Sequence, residues 1–138
     1  MASNKKPRKQ YRPRVNAPLL PVEIAMRRAE WLEAEKELLK LRDGEPCLHV
    51  VTQMCRLIPV AHTVAEALCG DQREAIAVLD GALGLLNGIV CSGYRWDASA
   101  AEDLGIAMDV AIQITGKAPP AAILAAERHV IALAEMSA

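Results

Sequence analysis

The chain contains no phenylalanine and only four aromatic residues, Tyr11, Trp31, Tyr94 and Trp96, whereas alanine occurs 24 times among its 138 residues. Any core must therefore be filled by Ala, Leu, Ile and Val packed at close range. Alanine has the highest helix propensity, while strands favour β-branched and aromatic side chains, so this choice of filler points to helices rather than sheets. Hydrophobic residues make up 52% and charged residues 24%, enough apolar side chain to offset the ordering entropy of a compact fold. The length suits one domain.

Charge is divided unevenly. Residues 1–14 hold Lys5, Lys6, Arg8, Lys9, Arg12 and Arg14 with no acid, so the remainder carries 10 basic against 17 acidic residues, a net −7. Such a split marks a tail that meets a polyanion while the body does something else; the plain alternative is a solubilising tail. Pro7, Pro13 and Pro18 fix their own backbone and push the preceding residues into extended geometry. The expected organisation is thus an extended, mobile basic arm over 1–20 and a helical bundle over 21–138.

Five helices are predicted, giving an all-α compact bundle. The first starts near Pro21, with Ile24, Trp31 and Leu38 recurring every seven residues, flanked by Ala25, Leu32 and Leu39. The second runs from about Cys47 to Cys69, with Val51, Met54, Ile58, Ala61, Ala65 and Leu68 inward, Pro59 in the middle of the pattern and a kink near Cys55. Gly70 stops it, and Asp71 with Glu74 reads as a capping box opening the third. The third shows two adjacent apolar stripes, so it is expected to be mostly buried, with Ala77, Asp80, Gly84, Asn87 and Cys91 forming a close-packed polar seam. Ser99 with Glu102 repeats the capping-box pattern, and Leu104, Ala107, Met108, Ala111 and Ile114 form the core face of the fourth helix. After Pro119 and Pro120, the last helix turns Ile123, Leu124, Val130, Ile131, Leu133 and Ala134 inward.

Chemistry-bearing motifs are sparse. Zinc-hydrolase, nucleophile-elbow, phosphate-loop and dinucleotide patterns are all missing. Cys55, His62 and Cys69 share a helix face, but neighbours seven apart are separated by roughly 10 Å, too far to share a metal ion. His62 is expected to be satisfied by a nearby carbonyl or by Glu66, and the four cysteines Cys47, Cys55, Cys69 and Cys91 read as reduced core thiols. Glu127 near His129 is a second unspecific acid–base pair. The expectation is a non-enzyme with no cofactor, no metal and no small-molecule substrate. Asn16, Pro18, Pro21 and Glu23 interrupt any secretory stretch, and Asp80 and Asn87 make the apolar run from Ala75 to Cys91 a poor membrane span, so a cytoplasmic protein with no membrane partner is predicted.

Two segments are candidate binding sites. Lys5, Lys6, Arg8, Lys9, Arg12 and Arg14, with Tyr11 interleaved, suit a polyanion such as nucleic acid: the cations neutralise phosphates and the ring stacks on a base. Tyr94, Arg95 and Trp96 lie together in a loop and are residue types that dominate protein interfaces. Alternatively, Trp96 plugs the end of the bundle and only Arg95 is exposed.

The run Lys5-Lys6-Pro7-Arg8-Lys9-Gln10-Tyr11-Arg12-Pro13-Arg14 resembles the starts of small uncharacterised proteins encoded by phages and prophages of Gram-negative bacteria. The resemblance covers about the first 15 residues and implies a setting rather than a mechanism: the binding of a host or phage macromolecule, including defence complexes. The resulting expectation is a macromolecule-binding protein whose arm contacts nucleic acid. Its alternatives are a phage-encoded inhibitor that blocks a host protein, and a structural homo-oligomer joined through the small-residue face of the third helix.

Overall fold

The computed structural model describes residues 19–68 and 71–137. The basic arm lies outside the described residues, as do Cys69 and Gly70. Five helices account for most of the rest: α1 (Leu19–Leu38), α2 (Leu48–Ala67), α3 (Arg73–Cys91), α4 (Ala101–Lys117) and α5 (Pro120–Ser137). The architecture is all-α, with no strand among the described residues.

The central element is α2, which packs against each of the other four helices. Its apolar residues recur on nearly all sides, and Val50, Val51, Met54, Leu57, Ile58, Val60, Ala61, Val64 and Ala65 are buried. A helix covered on several sides tolerates no broad polar face, which is why its charged residues are so few. Pro59 sits inside it. The ring supplies no N–H for the carbonyl one turn earlier, while Thr63 Oγ1 donates to the Pro59 carbonyl at 3.0 Å.

By contrast, α1 is covered on one side. Ile24, Trp31, Ala34 and Leu38 are buried, whereas Ala25, Leu32 and Leu39 are exposed. Each successive residue is turned about 100° around the helix, so immediate neighbours of a buried stripe fall outside it when one face alone is covered. The helix begins at Leu19, two residues before the expected start, and places Pro21 in the first turn, where a backbone N–H has no intrahelical acceptor anyway.

Both predicted capping boxes are corrected. At α3 the N-cap is Gln72 with no side-chain bond; Asp71 instead accepts from the Arg73 backbone N–H at 3.1 Å and from its guanidinium. That contact holds the Asp71 carboxyl below the usual carboxylate range. Before α4, Asp97 rather than Ser99 does the capping. Its Oδ1 accepts from Ser99 N at 2.9 Å and from Ser99 Oγ at 2.6 Å, opening a 3-10 turn over Ala98–Ala100 that runs into the helix. A short acid two residues ahead of a turn reaches the free N–H as well as a cap residue does, so sequence spacing alone chose the wrong acceptor.

On α4 the expected core face of Leu104, Ala107, Met108, Ala111 and Ile114 is buried. On α5 it is only half realised. Ile123 and Ala126 are buried and Leu124 and Val130 partly so, but Ile131, Leu133 and Ala134 are exposed. As the last element, packed on α2 and α1, α5 has nothing beyond it to cover its final turns. Two arginines tie α1 to the far end of the chain. Arg27 Nε donates to Glu127 Oε2, and Arg28 donates to the Thr115 carbonyl at 3.0 Å, serving one of the acceptors that α4 leaves open at its C-terminus. Glu127 is thereby committed to Arg27, and the expected pairing with His129 gains no support.

Candidate functional site

Of the two segments singled out in the sequence, Lys5, Lys6, Arg8, Lys9, Tyr11, Arg12 and Arg14 lie outside the described residues. The other, Tyr94-Arg95-Trp96, is described in full. The α1–α2 and α3–α4 connections meet there as a short antiparallel bridge between Pro46 and Arg95. Gly44 N donates to Trp96 O at 2.8 Å, Trp96 N to Glu45 O at 2.8 Å, and Cys47 N to Tyr94 O at 3.0 Å. The Ala98 N–H is held by Asp43 Oδ1 at 3.0 Å. Gly44, with φ at +81°, makes a turn that a side chain would strain.

This clasp turns Trp96 inward, where it is 2% exposed. The largest side chain of the chain plugs the bundle end, so Trp96 is corrected from a partner contact to a core residue. Tyr94 adopts φ +61°, an uncommon conformation for a non-glycine residue, and is half-buried. Arg95 alone is exposed, and its Nη1 reaches back to the Gly44 carbonyl at 3.4 Å. The segment therefore exposes one cation and part of one ring.

Between α2 and α3, His62 is bracketed by two carboxylates. Nδ1 lies 3.0 Å from Glu66 Oε1, as the i,i+4 spacing predicted. Nε2 lies 2.8 Å from Asp80 Oδ1, an ion-pair distance whose angle falls short of a formed hydrogen bond. Asp80 is the partner that sequence spacing missed, because it comes from another helix. The carboxylates approach opposite edges of the ring, an arrangement that orients an imidazole rather than one in which three groups converge on an ion. Among the described residues no group of His, Cys, Asp and Glu is placed to hold a metal ion.

The thiols divide. Cys47 is buried, with its Sγ 3.2 Å from the Tyr94 carbonyl; Cys55 is half-buried; Cys91 is exposed, contrary to the core reading. Burial pushes the Cys55 thiol above its ordinary range, and burial does the same at Cys47, partly offset by Arg95.

A third feature was not legible in advance. Glu35 and Lys36 of α1, with Leu39 just past its end, face Ala101, Glu102, Gly105, Ile106 and Asp109 of α4 across a groove of about 420 Å³. Its lining is largely apolar, and Leu39 and Ile106 are among the exposed large hydrophobic residues, at 74% and 49%. Its rim is acidic. The half-buried Glu35 carboxyl is pushed above the usual range, first by burial and then by the Asp109 charge. Asp109 accepts from Gln113 Nε2 at 3.1 Å, but none of the ion pairs among the described residues involves Glu35, Glu102 or Asp109. The only sequence signal was Glu102 and Asp109 seven residues apart with Ile106 between them.

The expected burial of α3 is overturned. Only Leu79, Ala82, Leu86 and Ile89 are buried among its 19 residues. Its mean hydropathy of 1.6 makes it long and apolar enough to cross a membrane by length and composition, yet 22% of that window is buried. Ala77, Gly81, Gly84, Asn87, Gly88 and Cys91 are exposed rather than packed into a seam, and Asp80, also exposed, reaches only His62 of α2. Compared with known proteins, the chain matches no family model, no curated protein and no solved structure.

Proposed function

We propose that the protein is a non-catalytic binding module whose basic leader attaches to nucleic acid or another polyanion while the helical body holds that leader on a firm base. The separation of charge supports this reading above all else: six cations without an acid in residues 1–14, against a net −7 in the rest. Counterion release makes such a run a polyanion binder irrespective of sequence. The leader joins α1, whose N-terminal half is fastened by Arg27 to Glu127 and by Arg28 to the end of α4. The phage-like leader adds the expectation that the polyanion is host or phage nucleic acid.

The experiment is retention on heparin and on duplex DNA, with and without residues 1–14. Removal should abolish binding at low salt. For the full chain, log affinity against log salt should fall with a slope no steeper than about −5, the limit for six neutralised phosphates. Retention that survives the deletion defeats the reading.

A second reading, self-association through α3, is favoured by one observation. A Cβ built on Gly81, Gly84 or Gly88 meets nothing within 4 Å, so these glycines lower helix stability without serving any internal close approach. Their use would come from a second copy packed closely on that face. A particle of twice 14.9 kDa in solution supports this reading, and a monomer at high concentration removes it.

A further inference from the structure

Building on the polyanion-binding reading, we propose that residues 5–11 dock in cis into the acidic and apolar groove between α1 and α4, so that the body of the protein competes with polyanions for its own leader. The groove has the chemistry of a site for a cationic segment that also carries apolar surface. Glu35, Glu102 and Asp109 line it against the single cation Lys36, beside the apolar Leu39, Ala101 and Ile106. The leader has the complementary pattern, with four cations in residues 5–11 interleaved with Pro7 and Tyr11.

Reach permits the contact. Glu35 lies 16 residues along α1 from Leu19, about 24 Å at helical rise. The 14 residues from Lys5 to Pro18 span up to roughly 46 Å when extended, so that doubling back along α1 uses about seven of them and leaves residues 5–11 to cross the groove. Glu102 and Asp109 are about 10 Å apart on α4, so a run of four or five extended residues covers the acidic rim. The burial and Asp109 charge that raise the Glu35 carboxyl would be countered by an arriving guanidinium, which gives docking a favourable electrostatic contribution beyond apolar contact.

The test compares three full-length proteins: the wild type, a groove variant carrying Glu35→Gln, Glu102→Gln and Asp109→Asn, and a control carrying Glu33→Gln, Glu74→Gln and Glu135→Gln. Both variants lose the same net charge, and circular dichroism confirms that each retains its helical signal. The readout is the rate of trypsin cleavage after Arg8 and Lys9 at low salt, which follows the population of released leader when docking is fast. The groove variant should be cut roughly fivefold to tenfold faster than wild type, the scale of two or three exposed ion pairs, and the control should behave as wild type. Equal rates in the groove variant and control overturn the proposal. Protection that fades on dilution also overturns it, since the occupant is then a second copy.

Duplex DNA affinity of the same three proteins separates this inference from the function on which it rests. Tighter binding by the groove variant than by the control supports both. DNA binding that is equal in the two variants removes the docking and leaves the function. Groove-dependent protection without DNA binding by any of the three removes the function and leaves the docking.

Discussion

Helices α2 and α3 are neighbours of almost equal length and similarly apolar sequence, yet nine residues are buried on one and four on the other. Hydrophobicity sets how much burial a helix can use; position in the bundle sets how much it receives. With α1, α3, α4 and α5 all packed on it, α2 is enclosed, whereas α3 rests on α2 and α4 and turns its glycines outward. The same residue class therefore carries different weight in the two elements. A buried Leu57 or Ala61 on α2 is structural, and an exposed Gly84 on α3 is free to be used by something outside.

The sharpest way to break this comparison is a pair of truncations. Leu57→Ala on α2, at 0% exposed, should cost about 2–5 kcal/mol in denaturant unfolding, whereas Leu83→Ala on the partly buried side of α3 should cost well under half as much. Equal losses would mean that α3 is as enclosed as α2. A smaller effect with the opposite sign is expected from Gly84→Ala. The added methyl enters open space, so the protein should gain about 0.5–1 kcal/mol from helix propensity. If α3 pairs with a second copy, the same change should weaken association while it stabilises the protomer.

The thiols give the finest discrimination, since they report access without unfolding. Cys91 on α3 is exposed, while Cys55 on α2 is half-buried with its thiol raised above the ordinary range. At slightly alkaline pH Cys91 should be alkylated first, because a raised pKa leaves less thiolate and burial slows the reagent. Raising the pH should narrow the gap as Cys55 ionises. Mass mapping of the modified peptides checks the order, and earlier labelling of Cys55 would contradict the placement of both helices.

The acidic groove and the clasp at Trp96 also differ in how far the sequence foreshadowed them. Trp96 beside a turn, in a chain so poor in large side chains, left a plug as one of two readings, and its burial decides between them. The groove depends on Glu35 lying across from Glu102 and Asp109, a relation between helices that no spacing along the chain encodes. His62 shows both cases in one residue: Glu66, four residues away, was readable, and Asp80 was not.

What the sequence determined by itself is local and periodic. Alanine-rich filler with little aromatic volume dictated helices, and the 3.6-residue repeat identified the inner face of α4 from Leu104 to Ile114. Tertiary structure alone decided which apolar faces found a cover: Leu39, Ile131 and the glycine face of α3 are as hydrophobic or as small as buried counterparts elsewhere, yet stand in solvent. The physical reason is that periodicity specifies the direction a side chain takes from its own helix axis, whereas burial depends on whether another helix occupies that direction.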